Sequence, residues 1–238
     1  DDAYRACWIE LPGLNVTQFA LKADSAPLPK ALKPDFEAAV RTAAGAIHLL
    51  GSGSTRQRTV IARIDLARES AVLADMPQIY DCVQRTLDLA RGPNIEGAIA
   101  LAAAFDYINE QLGVLEGEPP RVLDWRWIQL ERLEGVPLSV TDAAMVGRQR
   151  ALFLAVAEDT IDAIADGPII GCVVGLLTGS PDRQEARWFP LFDADGRPSR
   201  RKLEGVAVDD DLRGAWVITD PDDPEQAAEL CRVELRGF

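Results

Sequence analysis

Four acidic residues recur in similar sequence surroundings and could together bind a metal ion. Glu37, Glu96, Asp142 and Glu204 lie in the segments KPDFEAAV, PNIEGAIAL, SVTDAAMV and RKLEGVAV, each followed by a small residue and a short apolar run. Carboxylates that converge on one point repel each other and need a compensating charge. Ca²⁺ or Mg²⁺ would supply it through oxygen ligands. The single histidine, His48, argues against a His-rich zinc or iron site.

The same acids also have a purely structural interpretation. A carboxylate at the start of an inner strand can accept backbone N–H groups from a neighbouring sheet and so determine how two sheets dock. One oxygen could serve docking while the other binds a ligand, so the two roles are compatible. The sequence leaves both open.

A second group of polar residues could bind a substrate. In IHLLGSGSTRQR, Arg56 and Arg58 could clamp an anionic substrate with Ser54 beside them, because guanidinium groups bind carboxylates and phosphates in a bidentate manner. Glu158 and Asp220 follow the equivalent strands of two other repeats and are predicted to line the same rim. Solvated charges and turn formation are the alternative. The Walker pattern is absent, since no lysine follows the glycines and the next segment is strand-like.

The elements that must position these residues are strands in a repeating order. Apolar segments follow each acid and end in polar turns, and four strands per repeat are typical of a β-propeller. We therefore predict an all-β chain, a single propeller domain over residues 1–238 with about five four-stranded blades. The first blade is expected to lack its opening strand, and the third to be degenerate or to lack a segment near 101–105. The competing interpretation, Ala-rich helices, depends on propensity alone.

One inserted helix is predicted near residues 76–90. The segment DMPQIYDCVQRTLDLA has a proline just inside its start and apolar residues at helical spacing. We place it between the second and third blades.

Composition limits the partners. The formal net charge of -13 disfavours nucleic acid and anionic membrane surfaces, which leaves a small molecule as the expected partner. No apolar run is long enough for a transmembrane helix, and no signal-peptide pattern opens the sequence, so we expect a cytoplasmic protein. The four separated cysteines indicate free thiols. The oligomeric state is not predicted.

Several motifs together resemble an uncharacterised bacterial β-propeller family, a domain of unknown function. LLGSGST, NIEGA, VPLSVTDAA, LEGVAV and VITDPDDP occur here in the order of that family, over residues 33–237. More distantly, the pattern is similar to propellers of the esterase-like phytase and gluconolactonase types. That second resemblance implies a divalent metal held on the central axis by acids of the inner strands.

Two hypotheses about function follow. In the first, the protein is a metal-dependent hydrolase of a small ester, lactone or phosphoester, in which the cation polarises the scissile group and a free acid activates water. In the second, it is a non-catalytic propeller scaffold that binds a small ligand or a protein partner, and the acids dock the blades.

Overall fold

A computed structural model describes residues 5–10, 13–22, 28–29, 32–41, 45–97, 122, 128–146, 150–160, 167–180, 183–209, 211–223 and 225–236. Over these residues the chain is all-β with one α-helix, as predicted. Contacts divide the chain into two compact units, Asp1–Trp125 and Arg126–Phe238. None of the described helices is long and apolar enough to cross a membrane.

The first unit contains a four-stranded antiparallel sheet that corresponds to the predicted second blade. Its strands follow one another in the order of the sequence, β3-β4-β5-β6, and a two-stranded sheet, β1-β2, precedes them. The strands of this unit are β1 (Arg5–Glu10), β2 (Asn15–Ala20), β3 (Phe36–Arg41), β4 (Ile47–Gly51), β5 (Val60–Asp65) and β6 (Ser70–Asp75). In the predicted scheme, the β1-β2 pair corresponds to the third and fourth strands of the first blade.

The predicted inserted helix is confirmed as α1, Pro77–Thr86. Pro77 opens the helix, where a missing N–H costs nothing. The helix packs Tyr80 against a core that also contains Ile61 and Met76. These three side chains are almost fully buried, so α1 is anchored on the sheet by apolar contact.

The second unit contains two antiparallel sheets, with strand orders β11-β10-β9-β8-β7 and β12-β13-β14. They correspond in sequence to the predicted fourth and fifth blades, but neither has the four strands predicted. The short β7 adds a fifth strand to one sheet, and the other has three strands among the described residues. The strands are β7 (Arg132–Leu133), β8 (Val136–Met145), β9 (Arg150–Glu158), β10 (Ile169–Ser180), β11 (Arg183–Pro190), β12 (Leu203–Val208), β13 (Gly214–Thr219) and β14 (Leu230–Glu234).

A buried apolar cluster joins these two sheets, and it includes Leu152, Leu154, Val174, Leu203 and Val217. Strand β9 is buried along residues 151–157 because a second cluster covers its other face. This accounts for its near-continuous apolar sequence.

One strand in each of the three larger sheets, β3, β8 or β12, carries a β-bulge at a corresponding place. The pairing registers skip Glu37 in β3, Thr141 in β8 and Glu204 in β12. A bulge leaves one residue without an opposite partner and redirects its side chain. The shared bulge supports the sequence repeats, but it aligns Thr141, and not Asp142, with the glutamates of the other two sheets.

The predicted third blade lies largely outside the described residues, including the expected irregularity near 101–105 and most of its outer strand. The predicted free thiols are confirmed, because none of the four cysteines, all within the described part of the chain, forms a disulfide.

Candidate functional site

In the first unit, two of the four predicted metal ligands face each other. Glu37 is the bulged residue of β3, and Glu96 follows α1 in a segment tied to the sheet by the Ile95 N–H to Ser52 O bond of 2.8 Å. Carboxylate oxygens of the two glutamates lie within 4.8 Å of each other. Asn94 donates its side-chain amide to Glu96, which orients that carboxylate.

This separation suits a shared cation. Two oxygens that bind one Ca²⁺ at about 2.4 Å each can lie no more than about 4.8 Å apart. Both glutamates are partly buried, so water screens their mutual repulsion less than it would at the surface. A cation shared by the two carboxylates would have the oxygen ligands that Ca²⁺ and Mg²⁺ prefer.

The third predicted ligand, Asp142, docks one sheet of the second unit against the other. Its Oδ2 accepts a hydrogen bond from the backbone N–H of Val206 in β12 at 2.8 Å. Burial raises the pKa of Asp142 to about 6, although the hydrogen bonds from Val206 and Ala143 oppose the shift. The preceding hydroxyl of Thr141 is buried and has no hydrogen-bond partner among the described residues.

The fourth predicted ligand, Glu204, lies near a lysine that the sequence did not single out. The Lys202 ammonium is 3.9 Å from Oε1 of Glu204 and is hydrogen-bonded to Asp222. Burial lowers the pKa of Lys202, but the hydrogen bond to Asp222 and the charges of Asp222, Glu204 and Glu158 outweigh it and raise the pKa above its usual value. Lys202 therefore stays protonated and partly balances these acids.

Two predicted substrate-binding residues, Glu158 and Asp220, belong to the same region of the second unit. Glu158 accepts the backbone N–H of Gly167 at 2.6 Å. Asp220 accepts the N–H of Asp222 at 2.9 Å, and its own N–H donates to the carbonyl of Lys202 at 3.1 Å. Both carboxylates thus shape the loops around Lys202.

The Gly-Ser loop after β4 holds an internal ion pair. Arg58 donates from its guanidinium to Oδ2 of Asp35 at 2.6 Å and to Oγ of Ser54 at 3.1 Å. The Ser52 hydroxyl donates to the same Oδ2 at 2.7 Å and lies 2.9 Å from Oγ of Ser54. The predicted residue Ser54 is therefore part of a closed polar network.

Of the two arginines predicted to clamp an anion, only Arg58 lies in this network, and Arg56 points elsewhere. A 3-10 turn over Arg56–Arg58 separates the two arginines. The side chain of Arg56 is 64% exposed and lies 3.6 Å from Asp81 of α1, whereas that of Arg58 is only 20% exposed. The structure brings Ser54 together with Arg58 and not with Arg56.

Helix α1 fixes this loop. The Tyr80 hydroxyl donates to the carbonyl of Gly51 at 2.9 Å, and the Tyr80 ring lies over Gly53. Gly53 has a φ of 72°, a conformation that glycine adopts without strain, and a Cβ there would come within 2.1 Å of the ring. His48 lies in β4, the strand that precedes this loop, and is fully buried. It is therefore a core residue.

Two functional candidates were missed from the sequence: Asp35 and Lys202. Arg58 was predicted together with Arg56 as an anion clamp, but the turn that directs their side chains to different partners could not be deduced. Lys202 directly precedes Leu203-Glu204-Gly205 in its repeat, so its closeness in sequence to Glu204 could have suggested an ion pair. Asp35 had none, because its partners lie 17 and 23 residues later.

A family model matches residues 1–235 of the chain. The chain belongs to the DUF6929 family. The family is described as one of unknown function. No curated protein matches the chain.

Among solved structures, a chain of Kuenenia stuttgartiensis hydrazine synthase is similar, with a TM-score of 0.39 and 9% identity. The match covers 90% of this chain and 67% of that one. A likeness at this level supports no statement about the fold or the function of this family member.

Proposed function

We propose that this DUF6929 member is a cation-binding scaffold of the β-propeller type, in which Glu37 and Glu96 hold Ca²⁺ or Mg²⁺. The observation that carries the proposal is the approach of their carboxylate oxygens to within 4.8 Å, with Asn94 bonded to Glu96. A five-bladed propeller is the finer architecture proposed. Its support is the repeated antiparallel sheet with a bulge in β3, β8 and β12.

The hydrogen bonds that the other predicted acids accept favour a binding scaffold over an enzyme. Asp142, Glu158 and Asp220 all accept backbone N–H groups that join loops or sheets. Such acceptors stabilise a rigid framework. The ligand proposed for the scaffold is a small molecule. Two further predictions stay open to test. Asp142 and Glu204 are predicted to bind the cation as well. The residues predicted to contact the ligand are Arg56, Ser54, Glu158 and Asp220.

Metal analysis of protein purified without chelator, with melting scans in Ca²⁺, Mg²⁺ and EDTA, tests the cation site. We expect bound metal, or a higher melting temperature with added cation, and loss of that response in E37Q and E96Q. E185Q is the matched control, because the Glu185 side chain is 71% exposed. Absence of metal together with no response to either cation would overturn the proposal. E204Q and D142N test the two remaining predicted ligands in the same assay.

A metal-dependent hydrolase is the second candidate, and the pKa of Asp142 favours it. A carboxyl with a pKa of about 6 can act as a general base near neutral pH. The expected result is hydrolysis of simple esters, lactones or phosphoesters that requires Ca²⁺ or Mg²⁺, rises with pH around 6 and is lost in D142N. Hydrolysis that D142N retains would exclude this role for Asp142.

A further inference from the structure

We propose that the loop at residues 52–58 is an oxyanion-binding cradle that the protein's own Asp35 occupies. An external oxyanion, such as a phosphate or the carboxylate of a small ligand, would bind there once the Asp35 carboxylate is withdrawn, so Asp35 keeps the cradle closed in wild type. The inference is independent of the cation site.

The donors of the cradle come from one loop, whereas the anion comes from another segment. The Ser52 hydroxyl and the Arg58 guanidinium converge on the single oxygen Oδ2 of Asp35, at 2.7 and 2.6 Å. Ser54 supports both donors, since its Oγ lies 2.9 Å from that of Ser52 and accepts from Arg58 at 3.1 Å. Convergent hydroxyl and guanidinium donors are the groups that bind phosphate and carboxylate oxygens.

Several bonds that hold the cradle do not involve the Asp35 carboxylate, and the Asp35 carbonyl accepts the Ser52 N–H at 2.8 Å. Gly53 N–H donates to the Arg58 carbonyl at 2.9 Å, which closes the loop, and Tyr80 holds Gly51 at the loop entrance. Ser52 is fully buried. A preformed set of donors binds a ligand without an ordering cost. The loop therefore keeps its geometry when its anion is exchanged.

The carboxylate that fills the cradle belongs to a partly buried ion pair. Asp35 has a φ of 54°, in the left-handed region that aspartate adopts more readily than most residues with a Cβ. The Arg58 and Asp35 side chains are only 20% and 15% exposed. Removal of the carboxylate would leave a partly buried guanidinium without a counter-charge, and this is the state that an external oxyanion should stabilise.

The test is to remove the internal anion and supply an external one. D35A and wild type are melted in chloride, phosphate and acetate at equal ionic strength, and D35A/R58Q is the matched control without the cationic donor. We expect D35A to be less stable than wild type in chloride. At ten times the dissociation constant of the anion, its melting temperature should rise by about 3 °C or more.

Wild type and D35A/R58Q should show only the smaller, non-specific effect of the salt. A response to phosphate but not acetate assigns the site to phosphate groups, and a response to both assigns it to oxyanions in general. If D35A does not fold, D35N and D35N/R58Q replace the pair. A folded Asp35 variant that responds to both anions no more than its R58Q partner overturns the proposal.

Discussion

The carboxylate of Asp142 accepts the backbone N–H of Val206, 64 residues later in the chain, at 2.8 Å. The bond joins β8 of the five-stranded sheet to β12 of the three-stranded sheet within the second unit. Burial penalises the ionised form of the same carboxyl. One residue therefore links two sheets and makes that link sensitive to pH.

Stability should fall with rising pH because of Asp142. Its pKa in the folded protein is about 6, above the ordinary value of 3.8, so the folded state binds the proton more tightly than the unfolded state does. The stabilisation is complete below pH 3.8 and is lost as the pH rises through 6, by roughly 3 kcal/mol in total. D142N keeps an oxygen acceptor and should lack this contribution.

Urea unfolding of both proteins at pH 4 to 7 measures this difference. The free energy of unfolding of D142N relative to wild type should rise with pH over that interval. E185Q, with its exposed side chain, should follow wild type throughout. If wild type and D142N showed parallel pH profiles, the raised pKa would be wrong.

Asp142 also shows where sequence reasoning reached its limit. The pattern of an acid, a small residue and an apolar run aligned Asp142 with Glu37 and Glu204, and the strand that contains it was predicted. The bulge register instead places Thr141 at their position. A one-residue shift reverses the face on which a side chain lies, and the hydrogen-bond register that decides it cannot be read from the pattern of residue types.

The strands and the helix were predictable because their signals are local. Apolar runs that end in polar turns gave β4 and β13, and the proline with helical spacing gave α1. The polar contacts were not predictable, because they join distant segments. Lys202 meets Asp222, and Arg58 meets Asp35, only after the sheets have formed.

The contact between Tyr80 and the Gly-Ser loop should be a major contribution to the stability of the first unit. Y80F leaves the Gly51 carbonyl without its buried donor and should cost about 1–3 kcal/mol. G53A should cost at least as much, since its Cβ would come within 2.1 Å of the ring and its φ is 72°.

A double-mutant cycle with chemical denaturation distinguishes the two causes for Gly53. In a Y80A background the steric part of the G53A penalty should disappear, and only the backbone part should remain. Equal penalties in both backgrounds would show that the ring does not restrict residue 53.

Lys202 should stabilise the second unit through its charge. K202M leaves Asp222, Glu204 and Glu158 without their shared counter-charge and should cost about 1–3 kcal/mol. Because the loss is one of charge, 1 M NaCl should reduce it. R236M is the matched control: Arg236 pairs with Glu234 but is 86% exposed, so its loss should cost under about 1 kcal/mol. A K202M penalty that salt does not change would indicate lost packing instead.

The absence of a side chain at Gly214 leaves room for the Arg232 guanidinium over the Trp216 ring. The guanidinium carbon lies 5.4 Å from the centroid of the indole, and the group also pairs with Asp209. A Cβ on residue 214 would come within 2.2 Å of the guanidinium, so G214A should displace it from both partners. We expect the free energy of unfolding to fall by about 0.5–1.5 kcal/mol. A partly exposed cation–π contact and an ion pair each contribute only part of that amount. In an R232A background G214A should be nearly neutral, and an undiminished loss there would show that Gly214 is required for the backbone instead.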